Sequence, residues 1–220
     1  MNSLKSTELF EITNPLLKNL FDNTIYPWEI LSKIKNFIIE TLNNPPNNFK
    51  LLKEGVLVGS NVKISENATI IAPAIIADNS EIRTGAYLRG NVIIGENCVI
   101  GNSSELKNCI LLNNVQVPHY NYVGDSVLGN FSHLGAGSIC SNLKSDKSNV
   151  NVKLDGELIK TNLRKFGAII GDKVEIGCNS VLNPGTVIGK NTRVYPLTCV
   201  RGFIPSNKIV KSMDNIINQD

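Results

Sequence analysis

Histidine is scarce in this chain, and one of its two copies, His119, stands in the run Val117-Pro118-His119-Tyr120-Asn121-Tyr122-Val123-Gly124-Asp125. An imidazole titrates close to neutral pH, so it can take a proton from a nucleophile that is protonated in water. The run also interrupts a six-residue rhythm that governs the preceding sixty residues, and sequences tend to break their own local rules where function requires it. Two cations add a second kind of chemistry. Arg89 and Lys107 lie eighteen residues apart, and each directly follows an aliphatic residue. Stacked on one face they would repel unless an anion lay beside them, which creates an expectation of a phosphate or diphosphate ligand. An exposed basic patch is the alternative. The other histidine is His133, and two imidazoles fall short of the three protein ligands that catalytic zinc usually has, so no metal is expected.

The elements that must position these residues follow from the rhythm. An aliphatic residue returns at Val58, Ile64, Ile70, Ile76, Ile82, Leu88, Ile94, Ile100, Leu106 and Leu112. Small residues fill many positions four further on, among them Ala68, Ala74, Ser80, Ala86, Cys98 and Ser104. A fixed short repeat of this kind is the signature of a solenoid and fits neither a helix stripe nor an alternating sheet. It is the hexapeptide pattern of the left-handed parallel β-helix, an all-β fold in which three hexapeptides make one eighteen-residue coil. Residues eighteen apart then lie one above the other, roughly 4.8 Å apart as neighbouring strands do. The rhythm returns at Ile170, Ile176, Leu182, Ile188, Val194 and Val200. The trimeric hexapeptide-repeat carbonic anhydrases resemble this solenoid, but they need three imidazoles.

Three segments fall outside the repeat. Residues 1–50 read as an N-terminal helical cap, clearest where Trp28, Leu31, Ile34, Ile38 and Leu42 form an apolar stripe that starts at Pro27 and stops at Asn43-Asn44-Pro45-Pro46. The β-helix is expected over 51–204, interrupted by an inserted polar loop at about 143–167 that holds several lysines. A loop of that length inside a compact domain is usually functional or mobile. Residues 205–220 form a polar C-terminal tail. Charged residues at 19% and a net charge of +3 describe a globular chain with no general affinity for nucleic acid or membrane. No apolar run is long enough to span a bilayer, and the start lacks a signal-peptide pattern. The five dispersed cysteines, Cys98, Cys109, Cys140, Cys178 and Cys199, read as reduced, small buried apolar residues in the cytoplasm.

The ordered motifs add a specific resemblance. Gly101-Asn102-Ser103-Ser104-Glu105-Leu106-Lys107, Pro118 to Asp125, and Leu134-Gly135-Ala136-Gly137-Ser138-Ile139-Cys140-Ser141-Asn142 resemble the acetyltransferase domain of bifunctional N-acetylglucosamine-1-phosphate uridyltransferase/glucosamine-1-phosphate acetyltransferase. Arg164-Lys165-Phe166-Gly167-Ala168-Ile169-Ile170-Gly171 and Leu182-Asn183-Pro184-Gly185 look more like the archaeal-type sugar-1-phosphate nucleotidylyltransferase/acetyltransferases. The resemblance covers about 82–200. Nothing like the Gly-rich nucleotidyltransferase loop precedes Val58, so the expectation is a stand-alone acetyltransferase half.

This resemblance implies acetyl-CoA-dependent N-acetylation of an amino-sugar 1-phosphate, glucosamine- or galactosamine-1-phosphate, by a homotrimer with sites between neighbouring solenoids. His119 corresponds to the general base. The backbone N–H of Ala136 is the candidate donor to the tetrahedral oxyanion, and Asn142 helps place the amine. Arg89, Lys107, Tyr122 and Lys165 match sugar-phosphate contacts, and His133 stands where the family has an Asn that touches the sugar. Ala136, Cys178 and Pro196 align with coenzyme contacts, the last two in place of the usual Ser and Ala, and Leu143 replaces a Tyr. Two other readings are a non-catalytic trimeric binding module and an N-acyltransferase on a nucleotide-linked amino sugar.

Overall fold

The computed structural model describes residues 2–22, 24–154 and 156–219. Its body is the left-handed parallel β-helix that the hexapeptide rhythm requires. Short parallel strands stack into three faces. The first runs through Val56–Val58, Ala74–Ile76, Val92–Ile94 and on to Ala168–Ile170 and Thr186–Ile188. The second holds Val99–Asn102, Gln116–His119, His133–Leu134, Glu175–Ile176 and Arg193–Val194. The third holds Thr69–Ile71, Tyr87–Arg89, the starts of Glu105–Leu111 and Tyr122–Leu128, then Ile139–Cys140 and Val181–Leu182. The anchors from Val58 to Val210 fill the interior, with Cys98, Cys109 and Cys140 as small members of the same cluster. Cys178 and Cys199 are exposed, which corrects the expectation that all five cysteines are buried. Both side chains point away from the coil, which leaves them at its surface.

The repeat breaks earlier than the sequence suggests. Leu111, not Leu112, faces inward and pairs with Ile94, while Leu112 joins the outer cluster. The reason is a shortened corner. Gly90 and Asn91 turn one coil with two positive-φ residues, at 82° and 52°, whereas Asn108 and Asp125 each turn the next coils alone, at 48° and 47°. Asn and Asp tolerate this backbone because their short polar side chains bond locally. Coils across this region are consequently seventeen residues long: Glu105 pairs with Tyr122, and Tyr122 with Ile139.

The N-terminal segment lies along the flank of the solenoid. On the first face Leu57, Ile75, Ile93, Ile110, Val127, Ile169 and Val187 point outward in one register ladder. Trp28, Ile30, Leu31, Ile34 and Ile38 bury against the cluster that this ladder belongs to. The stripe is not one α-helix: Pro27–Ser32 is a 3₁₀ helix and Ile34–Asn43 is α-helical. Trp28, Leu31 and Ile34 step by three, which suits three residues per turn, while Ile34, Ile38 and Leu42 step by four. Asp172 clasps the segment further up: its Oδ2 accepts from the Glu11 N–H at 2.7 Å and its Oδ1 from the Asn130 N–H at 2.7 Å. Burial raises the pKa of this carboxyl, and the N–H donors oppose that shift.

The insertion is ordered as an antiparallel hairpin, Val150–Leu154 against Glu157–Leu163. Val150, Val152 and Leu154 turn inward to extend the same outer cluster. The tail also pairs, Lys208–Ser212 with Asn215–Asn218. Among the described residues no helix is long and apolar enough to cross a membrane.

Candidate active site

The residues singled out by sequence fall into two adjacent groups. His119 ends its strand on the second face and is exposed. Continuing the register of Gln116, His133, Glu175 and Arg193 by three residues aligns His119, Ala136, Cys178 and Pro196 in one column along the edge of the coil. The backbone bonds of the following residues agree. Gly137 N–H donates to His119 O at 3.0 Å, Asn179 N–H to Ala136 O at 2.8 Å, and Leu197 N–H to Cys178 O at 2.9 Å. The Ala136 N–H donates to no acceptor among the described residues, so it is free for an oxyanion. Tyr120, at φ 52°, turns the chain just past His119. Buried Asn121 then locks that corner, accepting from the His119 N–H at 3.0 Å and donating to Gly135 O at 2.8 Å.

The second group lies on the third face, which begins two residues beyond Tyr120. Tyr122 reaches across Gly124 so that its Oη accepts from Asn142 Nδ2 at 3.1 Å. Burial, and next the charge of Asp125, raise the pKa of this phenol. Asn142 Nδ2 also donates to Asp125 Oδ2 at 2.5 Å, and Lys107 Nζ lies 3.6 Å from the same oxygen. Arg89 Nη1 bonds Glu105 Oε1 at 2.6 Å, which raises the Arg89 pKa. Lys165 arrives at the base of the hairpin, where it bridges to Leu143 while Phe166 N–H donates to Asn142 O at 2.9 Å.

The stacked cations change one expectation. Arg89 and Lys107 do stack, since Leu88 pairs with Leu106, but each has its own carboxylate in the chain, Glu105 and Asp125. Their mutual repulsion is met internally and does not by itself call for a bound anion. The Arg89–Glu105 pair is exposed, however, and such pairs hold so weakly that a phosphate can compete for the guanidinium. His133 stands apart from the Tyr122 group, on the second face, with Nδ1 2.9 Å from Glu175 Oε2. No cluster of three or more His, Cys, Asp or Glu side chains suited to a metal ion exists among the described residues.

Sequence reading missed Asp125 and Asn108, although both lie in or beside the motifs quoted. Asn108 Nδ2 donates to Asp125 Oδ1 at 2.9 Å and to Leu31 O of the N-terminal segment at 3.2 Å.

A three-faced hexapeptide coil with an exposed imidazole, a free backbone donor and a polar face beside them defines a hexapeptide-repeat protein of the transferase kind. Residues 167–202 match the bacterial transferase hexapeptide family, and residues 70–160 match the GMPPB C-terminal domain. More particularly, the chain is a homologue of the bifunctional sugar-1-phosphate nucleotidylyltransferase/acetyltransferases. It is 32% identical to a bifunctional protein GlmU of Methanococcus vannielii over 97% of this chain and 51% of that protein. To the bifunctional sugar-1-phosphate nucleotidylyltransferase/acetyltransferase of Sulfurisphaera tokodaii it is 35% identical over 77% of this chain and 43% of that protein. The chain thus spans about half the length of these curated relatives. A solved structure of AntD, an N-acyltransferase from Bacillus cereus, in complex with dTDP and coenzyme A, aligns at a TM-score of 0.42 and 22% identity, covering 79% of this chain and 91% of that one.

Proposed function

We propose that this protein transfers an acetyl group from acetyl-CoA to the amine of an amino-sugar 1-phosphate. The observation that carries this reading is the single column of His119, Ala136, Cys178 and Pro196 beside a face bearing Arg89, Lys107, Tyr122 and Asn142. The thioester would lie along the column, and the sugar phosphate on the face. His119 takes a proton from the sugar ammonium, and the freed amine attacks the thioester carbonyl. That first proton leaves His119 for solvent; the Ala136 N–H steadies the oxyanion, and as the C–S bond breaks His119 takes the second proton from the now cationic nitrogen and passes it to the departing thiolate, leaving a neutral amide and a free thiol. General base catalysis of this kind contributes about 10²–10⁴-fold. In this reading the active assembly is a trimer, with each site completed between neighbouring coils.

One feature favours a second acceptor, a nucleotide-linked amino sugar. A groove of about 720 Å³ continues from Leu143 between the third face and the hairpin, lined by Ser141, Asn183, Arg201 and Lys144, the last paired with Asp146 of the same lining at 3.4 Å. It offers cationic and hydroxyl groups to a diphosphate.

Thiol release from acetyl-CoA, followed against a panel of hexosamine 1-phosphates and their UDP forms, tests both readings. Wild type should turn over at least one 1-phosphate, and His119→Ala should lose about 10²–10⁴-fold of that rate. A preference for the UDP form would select the second acceptor. No turnover on any amino sugar, or turnover untouched by the substitution, overturns the assignment.

A further inference from the structure

The donors that converge on Asp125 are more numerous than a turn residue needs. Its side chain is 7% exposed, and three side chains point N–H groups at its carboxylate: Asn108 and Asn142 within hydrogen-bond distance, and Lys107 at 3.6 Å. Each of these does something else as well. Asn142 holds the Tyr122 hydroxyl, Lys107 stacks on Arg89 along the third face, and Asn108 is fastened to Leu31 of the N-terminal segment. The same carboxylate oxygen serves Asn142 and Lys107, so the placement of one group constrains the other.

We propose that Asp125 is the positioning residue of the acceptor face: its buried carboxylate, held by Asn108, fixes Lys107 and Asn142 and, through Asn142, the Tyr122 hydroxyl. This rests on the acceptor reading given above. Asp125 does not touch the reacting atoms and acts only through these neighbours. The carboxylate suits the task because an ionised carboxyl is acceptor-only, with about four lone-pair sites for surrounding donors. The link from Asn108 to Leu31 also makes the N-terminal segment part of the support of the site, at a distance that direct contact with substrate does not cover.

Asp125→Asn is the informative variant. Asn108 already turns the preceding coil at φ 48°, so an Asn at the equivalent corner keeps the backbone. What changes is chemistry: an amide NH₂ now meets either Asn108 or the Asn142–Lys107 pair, donor against donor. The acceptor KM should rise about tenfold while the acetyl-CoA KM stays within about twofold, and Asn108→Ala should move the acceptor KM the same way by less. Unchanged acceptor kinetics in Asp125→Asn overturns the proposal. So does a parallel rise of both KM values in step with a lowered melting temperature, which would mark Asp125 as structural only.

A second measurement needs no turnover. The Tyr122 phenol faces Asp125, Glu105 and Arg89 and accepts from Asn142. Its titration, taken from the absorbance difference between each protein and its Tyr122→Phe counterpart, should move to lower pH in Asp125→Asn because a raising charge has gone. An unmoved phenol overturns the network. Should wild type acetylate no hexosamine phosphate, the assigned reaction fails and the phenol titration alone decides the role of Asp125.

Discussion

A methyl group added at Gly124 would stand 2.5 Å from the Tyr122 Oη and 2.6 Å from Asn142 Nδ2. Only glycine leaves room for those two side chains to bond across the strand, so Gly124→Ala should raise the acceptor KM several-fold and lower stability by about 1–3 kcal/mol, measured by thiol release and by urea unfolding. The cysteines divide just as sharply. Burial pushes Cys98 and Cys140 up to about 12 and Cys109 higher still, while Cys178 and Cys199 are exposed. Iodoacetamide at pH 8 should therefore modify two thiols per folded chain and five after unfolding, counted by intact mass. Residue type and motif order pick out His119, Tyr122 and Asn142 as candidates, and the structure brings Tyr122 and Asn142 together at 3.1 Å. Asp125 escaped for a metrical reason. Counting eighteens from Arg89 through Lys107 lands on Asp125 as a third member of that column, whereas the shortened coil pairs Lys107 with Gly124 and spaces Asn108, Asp125 and Asn142 seventeen apart, which puts Asp125 at the corner instead.

Which surface the N-terminal segment covers was the less legible matter. Its apolar stripe was plain, but its landing place is the ladder Leu57, Ile75 and Ile93, which sits one residue before every third interior anchor and merges with the rhythm when only the anchors are followed. Trp28 ties the parts together, stacked on Tyr26 with ring centroids 4.6 Å apart and 5.8 Å from Phe166 at the foot of the hairpin. Trp28→Ala should cost about 3–5 kcal/mol in equilibrium unfolding, the range for emptying an aromatic site in a core. Asp172→Ala removes the acceptor for the Glu11 N–H. Faster hydrogen exchange over residues 5–22 and at the Asn130 amide, which Asp172 also holds, is the expected sign. The hairpin was legible only in part: Val150, Val152 and Leu154 alternate as a half-buried strand does, within a run whose lysines suggest a solvated loop.

For the whole molecule, the covering of the first face in cis decides what remains for self-association. The helices and the hairpin occupy that face, and the second and third faces carry His119 and Tyr122. Light scattering after gel filtration should report three chains per particle; a stable monomer that still releases thiol would refute the proposed shared site. The short parallel strands have a further consequence. Each coil bonds only to the one before and the one after it, so the body behaves as a linear array of nearest neighbours in which loss of order enters from the ends. His119, Asp125 and Asn142 occupy coils with several others on either side. Fraying must consume the outer coils before it reaches them, so amides of Glu105–Leu111 and Tyr122–Leu128 should be the last to exchange, and the chemistry should outlast the loss of the outermost coils at either end of the solenoid.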